Sequence, residues 1–174
     1  MVSAVLGITA AGLLAYAALH DLAVRTVPNW LPAVLLLLGI IARLLGHDLL
    51  PGLLVVVIAF AALFGIWAAG AMGGGDVKLW AAAVLLVSPG WQPQFAFFVD
   101  VVLAGGLLAV VYLGLSLVVP RPRAARQGGR LRRFLRVEQW RIARRGPLPY
   151  ACAIAAGAIT ALFPHAHLNL ANLG

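Results

Sequence analysis

Two aspartates in this chain stand at the ends of long apolar runs, where a carboxylate costs free energy unless it is used. Asp21 closes the first run, and Asp76 follows three consecutive glycines in "MGGGDVKLW", residues 72 to 80. Two carboxylates that meet at short range share a proton, so one can act as general base on a water while the other acts as acid. Spacing alone leaves a second account open, in which each aspartate caps a helix or meets lipid headgroups. Ionisable groups at membrane depth are nonetheless functional candidates by default.

The neighbours of the two aspartates differ in what they offer. Gly73, Gly74 and Gly75 remove every side chain beside Asp76, allowing positive φ and the close backbone approach that an extended peptide needs. A hinge between helices is the plainer use of the same triplet. Arg25 lies four residues after Asp21, so a helix continued that far would bring the two onto one face. Pro28 stops continuation past Val27, and Asn29 reads as the N-cap of the next helix. Lys78 points elsewhere on a helix than Asp76 and reads as a snorkelling headgroup contact. His20 adjoins Asp21 and reads as another headgroup contact. His47, His165 and His167 fall outside the apolar runs, and no metal or cofactor signature is present.

The elements that must hold these residues are membrane helices. Of 174 residues, 63% are hydrophobic and only 10% charged, which excludes an ordinary soluble domain. A crossing helix takes roughly 20 apolar residues. Val2 to Leu19, Trp30 to Leu45, Leu49 to Met72, Phe95 to Val119 and the somewhat short Pro149 to Phe163 supply five such runs. Asp76 to Trp91 is a sixth that fits only a thinned bilayer. Barrel strands alternate apolar and polar residues, and these runs do not. The expectation is an all-α polytopic bundle of six transmembrane helices forming a single integral membrane domain over residues 1–174. "AYA" at 15 to 17 resembles a signal-peptide cleavage site, but residues 1 to 19 lack the basic residue of an n-region.

Orientation follows from charge. Net charge is +8, and ten of the thirteen basic residues are arginines between Arg121 and Arg145. Arg25 and Lys78 occupy two further links on the same side, whereas "GHDLLPG", "SPGWQPQ" and the tail "PHAHLNLANLG" carry no lysine or arginine. Basic loops stay cytoplasmic, so both termini are expected outside and residues 120–146 form a basic cytoplasmic loop. Within it Leu131, Phe134, Leu135 and Ile142 fall on one helical face, with Arg132, Arg133, Arg136 and Arg144 away from it. That pattern suits an interfacial helix on anionic lipid rather than a docking site for substrate or an assembly partner, and no nucleic-acid partner is expected. Arg43 and Asp100, inside the second and fifth runs, are expected to form an ion pair. The single cysteine, Cys152, excludes an intrachain disulfide.

"DLAVRTVPN" at Asp21 to Asn29 and "GGGDVK" at Gly73 to Lys78 resemble the two aspartate motifs of the type IV prepilin peptidases, membrane aspartyl proteases of the GxGD class. "LPYA" at Leu148 to Ala151 is similar to a proline-tyrosine motif, here Pro149 and Tyr150, that opens the family's last helix. The resemblance implies that Asp21 and Asp76 are the catalytic pair, in the inner membrane of a bacterium. It further implies a pilin or pseudopilin precursor as substrate, cut on the cytoplasmic side of its hydrophobic segment. Longer members carry a cysteine-rich insertion associated with N-methylation of the cleaved pilin; with Cys152 alone, this chain resembles the short form serving tight-adherence (Flp-type) pili. Two other readings of the same residues stand beside it. One is a GxGD protease acting on another membrane substrate. The other is a small proton-coupled transporter, whose site belongs near the midplane between inverted repeats, which this sequence does not display.

Overall fold

The computed structural model describes residues 2–118, 139–140 and 148–163. Among these, six helices form the fold: α1 (Val2–Val24), α2 (Trp30–Leu45), α3 (Leu49–Ala68), α4 (Gly74–Leu86), α5 (Trp91–Val118) and α6 (Tyr150–Leu162). No strand occurs among the described residues. Three helices, α1, α3 and α5, are long and apolar enough to cross a bilayer, and α2 and α6 are shorter apolar helices. Large apolar side chains stand exposed along α3 and α5. Such surfaces are intolerable in water but natural against lipid, and the protein is a membrane protein. Of the stretch 131–142, where an interfacial helix is expected, only residues 139–140 are described, and both are helical.

The shortness of the fourth apolar run has a structural reason. Every residue of α4 from Leu79 to Leu86 is buried, as is Val87 after it. A helix apolar all round belongs inside a bundle rather than against lipid. It packs on α2, α3 and α6, so protein rather than bilayer sets its length. Thirteen residues span about 20 Å, against about 30 Å of hydrocarbon. At its far end, the Gln94 amide nitrogen donates to the carbonyls of Val84, Val87 and Ser88. That single side chain of α5 ties down the turn that follows α4.

Turn chemistry delivers Asp76. At the end of α3 the Gly70 N–H donates to the Trp67 carbonyl and the Ala71 N–H to the Ile66 carbonyl. This is a Schellman ending, and Gly70 takes the left-handed conformation it requires, at φ +75°. The chain then runs through Gly73 into α4. A similar ending closes α2, with His47 at φ +56° in the place where glycine is usual.

The remaining contacts fix α6. It lies against α1 and α5, and the α5–α6 packing is the most extensive in the bundle. Gly157 makes it possible: a Cβ there would lie 2.6 Å from Val101 Cγ2 and 2.9 Å from the Val101 amide nitrogen. One turn away, the Thr160 hydroxyl donates to Asp100 Oδ2 at 2.8 Å. The ion pair expected between Arg43 and Asp100 is therefore replaced by two other arrangements. Arg43 pairs with Asp48, Nη1 to Oδ2 at 2.7 Å, because the Schellman turn folds Asp48 back over the last turn of α2.

Candidate active site

Asp21 continues a buried stripe. Ala10, Leu14 and Ala17 are fully buried on one face of α1, and a step of four residues brings the next position inward at Asp21. Its side chain is only 5% exposed, the one buried charged residue among those described. The stripe faces α6, where the Ala151 N–H donates to Asp21 Oδ2 at 3.3 Å. The first N–H groups of a helix have no partner within it, so the start of α6 offers donors to a carboxylate. Pro149, fully buried just before the helix, has no N–H to leave unpaired there. The Cys152 thiol meets the Ala18 carbonyl at 3.4 Å, holding the same two helices in register.

Asp76 stands in the first turn of α4, its amide bonded to the Gly73 carbonyl at 3.1 Å. The three preceding glycines act through absent side chains, not through positive φ, which among them and their glycine neighbours only Gly70 adopts. A Cβ on Gly73 would lie 3.0 Å from Asp76 Oδ2, one on Gly74 3.3 Å from Trp67 Nε1, and one on Gly75 3.3 Å from Val27 Cβ. The triplet thus lets the carboxylate fold back over the helix start and lets α3 and the α1–α2 link close on it. Asp76 is partly buried. α6 packs on both α1 and α4, and Gly75 abuts Val27 of the α1–α2 link, so the segments that carry Asp21 and Asp76 lie at one end of the bundle.

The neighbouring candidates divide between them. Arg25 does not continue α1. It leaves the helix at φ +60°, and its Nη2 donates to the Tyr112 hydroxyl at 3.1 Å with the guanidinium 5.5 Å from that ring's centre. Hydrogen bond and cation–π contact together tie the end of α1 to α5. Asn29 holds the N-cap position of α2 but makes no side-chain cap; its Oδ1 instead accepts from Lys78 Nζ at 3.1 Å. The two aspartate motifs are joined by that bond. His20 Nδ1 donates to the Thr26 carbonyl at 2.8 Å, clasping the turn that contains Arg25. Pro28 lies within the same turn, its carbonyl accepting from the Leu31 N–H. Tyr150 opens α6 against Gly105 of α5.

Tyr112 and the Ala151 N–H have no signal in the sequence, the first because nothing marks one tyrosine in an apolar span, the second because it is backbone. Asp100–Thr160 and Gly105–Tyr150 contacts set α5 beside α6, and α5 then runs on from Gly105 to Val118 past the start of α6. Thirteen further residues amount to about 20 Å of helix beyond that level, and within them Tyr112 meets Arg25 at the end of α1. Among the described residues, no three of His, Cys, Asp and Glu gather as a metal site. A buried carboxylate with a backbone donor and a second, half-buried one are groups of the type that serve as general acid and base.

Comparison with known proteins adds one finding. The model of the type IV leader peptidase family matches residues 8–113, a stretch that contains Asp21, Arg25, the glycine triplet, Asp76 and Tyr112 but not α6. No curated protein and no solved structure gives a match.

Proposed function

As the chain belongs to the type IV leader peptidase family, we propose that it hydrolyses the leader peptide bond of Flp-type pilin precursors, using Asp21 and Asp76 as an aspartate dyad. The observation that carries this reading is the burial of Asp21 against the start of α6, with Asp76 in the first turn of α4 at the same end of the bundle. In the proposed reaction one carboxylate accepts a proton from water as the oxygen attacks the scissile carbonyl. The other gives its proton to the carbonyl oxygen or, on collapse, to the leaving amine, so the pair ends each turnover as it began. The acid and base roles belong to the pair rather than to either residue.

The site's surroundings support an extended substrate. Gly74 and Gly75 are closed over by Trp67 and Val27, but Gly73 is exposed and leaves backbone open beside Asp76, as an extended strand needs. We place the site at the cytoplasmic face of a bacterial inner membrane, with the precursor's hydrophobic segment in the bilayer. The chain has one cysteine, and N-methylation of the product is not part of the proposal.

Co-expression with a pilin precursor, reading leader removal as a gel shift, tests the reading. Asp21→Asn and Asp76→Asn should each abolish processing while the protein still inserts, because an amide keeps shape and polarity but cannot cycle a proton. Asp100→Asn is the control, since an amide oxygen still accepts from Thr160. Absence of cleavage by the wild-type chain against Flp-type precursors would overturn the substrate assignment.

A further inference from the structure

We propose that the groove between α2 and α3 is a phospholipid site, with one acyl chain in the groove and the phosphate at Lys78 and Asn29. Helices α2 and α3 barely touch one another, and each packs on α4 instead. The result is a trench of about 300 Å³ whose walls include Leu36 and Phe60 and whose floor is Ala81 and Ala82 of α4. All of these are apolar. Polar groups enter only at one end, where Lys78 and Asn29 complete the lining. An apolar channel with a cation at its mouth matches a molecule that is apolar along its length and anionic at its head.

The mouth has donors to spare. Lys78 spends one N–H on Asn29 Oδ1, and an ammonium carries three. The Asn29 amide nitrogen adds two more, and both residues are exposed. Trp30 and Trp67, half-exposed at this end of the bundle, mark headgroup depth, as indole rings do in membrane proteins. Lys78 is thereby a headgroup contact with a defined position.

Helix geometry separates this occupant from a peptide substrate. At about 100° per residue, Lys78, Ala81 and Ala82 lie roughly 140° to 240° round α4 from Asp76. A hydrophobic helix seated in the groove would lie across α4 from the carboxylates and present its backbone on the wrong side. A lipid has no such constraint.

Native mass spectrometry of the detergent-purified protein, titrated with palmitoyl-oleoyl phosphatidylglycerol, tests this. Lys78→Gln should weaken retention about fivefold, the effect of one cation near an anionic headgroup. Ala33→Trp, at an exposed groove position, should remove it by filling the trench. A diacylglycerol with the same chains should bind more weakly than the phospholipid. Wild-type retention by either variant, or equal binding of the diacylglycerol, overturns the proposal. A photo-crosslinker at position 33 gives a reading independent of those variants: lipid adducts support the site, and adducts with a co-expressed pilin precursor overturn it.

Discussion

The hydrogen bond from Ala151 to Asp21 joins a catalytic candidate to the backbone of a helix outside the matched family region. A donor to a charged acceptor is worth about 1.5–3 kcal/mol. Ala151→Pro removes that N–H at a position where proline is tolerated in a helix, so single-turnover cleavage should fall roughly 10- to 100-fold with insertion unchanged. Ala151→Gly keeps the donor and should cleave near the wild-type rate. Equal rates for the proline and glycine variants would show that the bond has no part in the reaction. At this scale the sequence was legible where residue type carries the chemistry: Asp21, Asp76 and the glycines declare themselves. It was illegible where backbone or distant packing does. Nothing in "DLAVRTVPN" tells that Arg25 turns to Tyr112, 87 residues on, because that pairing depends on how α1 and α5 cross.

Elements respond to close packing. Gly157→Ala forces a methyl against both side chain and backbone of Val101, and overpacking of this kind costs about 1–3 kcal/mol. Thermal unfolding in detergent should shift down accordingly, and an unchanged midpoint would mean that α5 and α6 separate freely. Because α6 carries the Ala151 donor, the same variant should also slow cleavage. The Arg43–Asp48 pair is partly exposed, so Arg43→Gln should cost about 1–3 kcal/mol, between the exposed and fully buried limits. Asp100→Asn should cost less, and a larger loss at Asp100 than at Arg43 would contradict this assignment. Helix existence was readable from apolar runs, and α2 begins and ends where expected. Ends set by tertiary contacts were not: α1 runs to Val24, α3 stops at Ala68 and α5 starts at Trp91. Hydropathy likewise gives the charge of Arg43 and Asp100 but not the turn that brings Asp48 to Arg43.

For the whole molecule, the buried short helix α4 sets the plan: α2, α3 and α6 pack on it, α3 turns large apolar side chains outward, and the first turn of α4 carries Asp76. Twelve of the thirteen basic residues, all but Arg43, lie in the three links read from the sequence, and this asymmetry predicts both termini outside and residues 120–146 in the cytoplasm. A cysteine at position 128, in a Cys152→Ser background, should resist an impermeant thiol reagent in intact cells and react after permeabilisation. Labelling in intact cells would reverse the topology and put the carboxylates on the wrong side for a cytoplasmic leader. The central claim is that Asp21 and Asp76 work as one unit, and a double-mutant cycle on precursor cleavage in proteoliposomes tests it most directly. Each asparagine variant should lose about 10²–10⁴-fold in rate, the range for general acid–base groups, and the double variant should be scarcely slower than either single one, as residues acting together are non-additive. Wild-type cleavage by a well-inserted Asp21→Asn or Asp76→Asn protein, or losses that multiply in the double variant, would contradict the dyad.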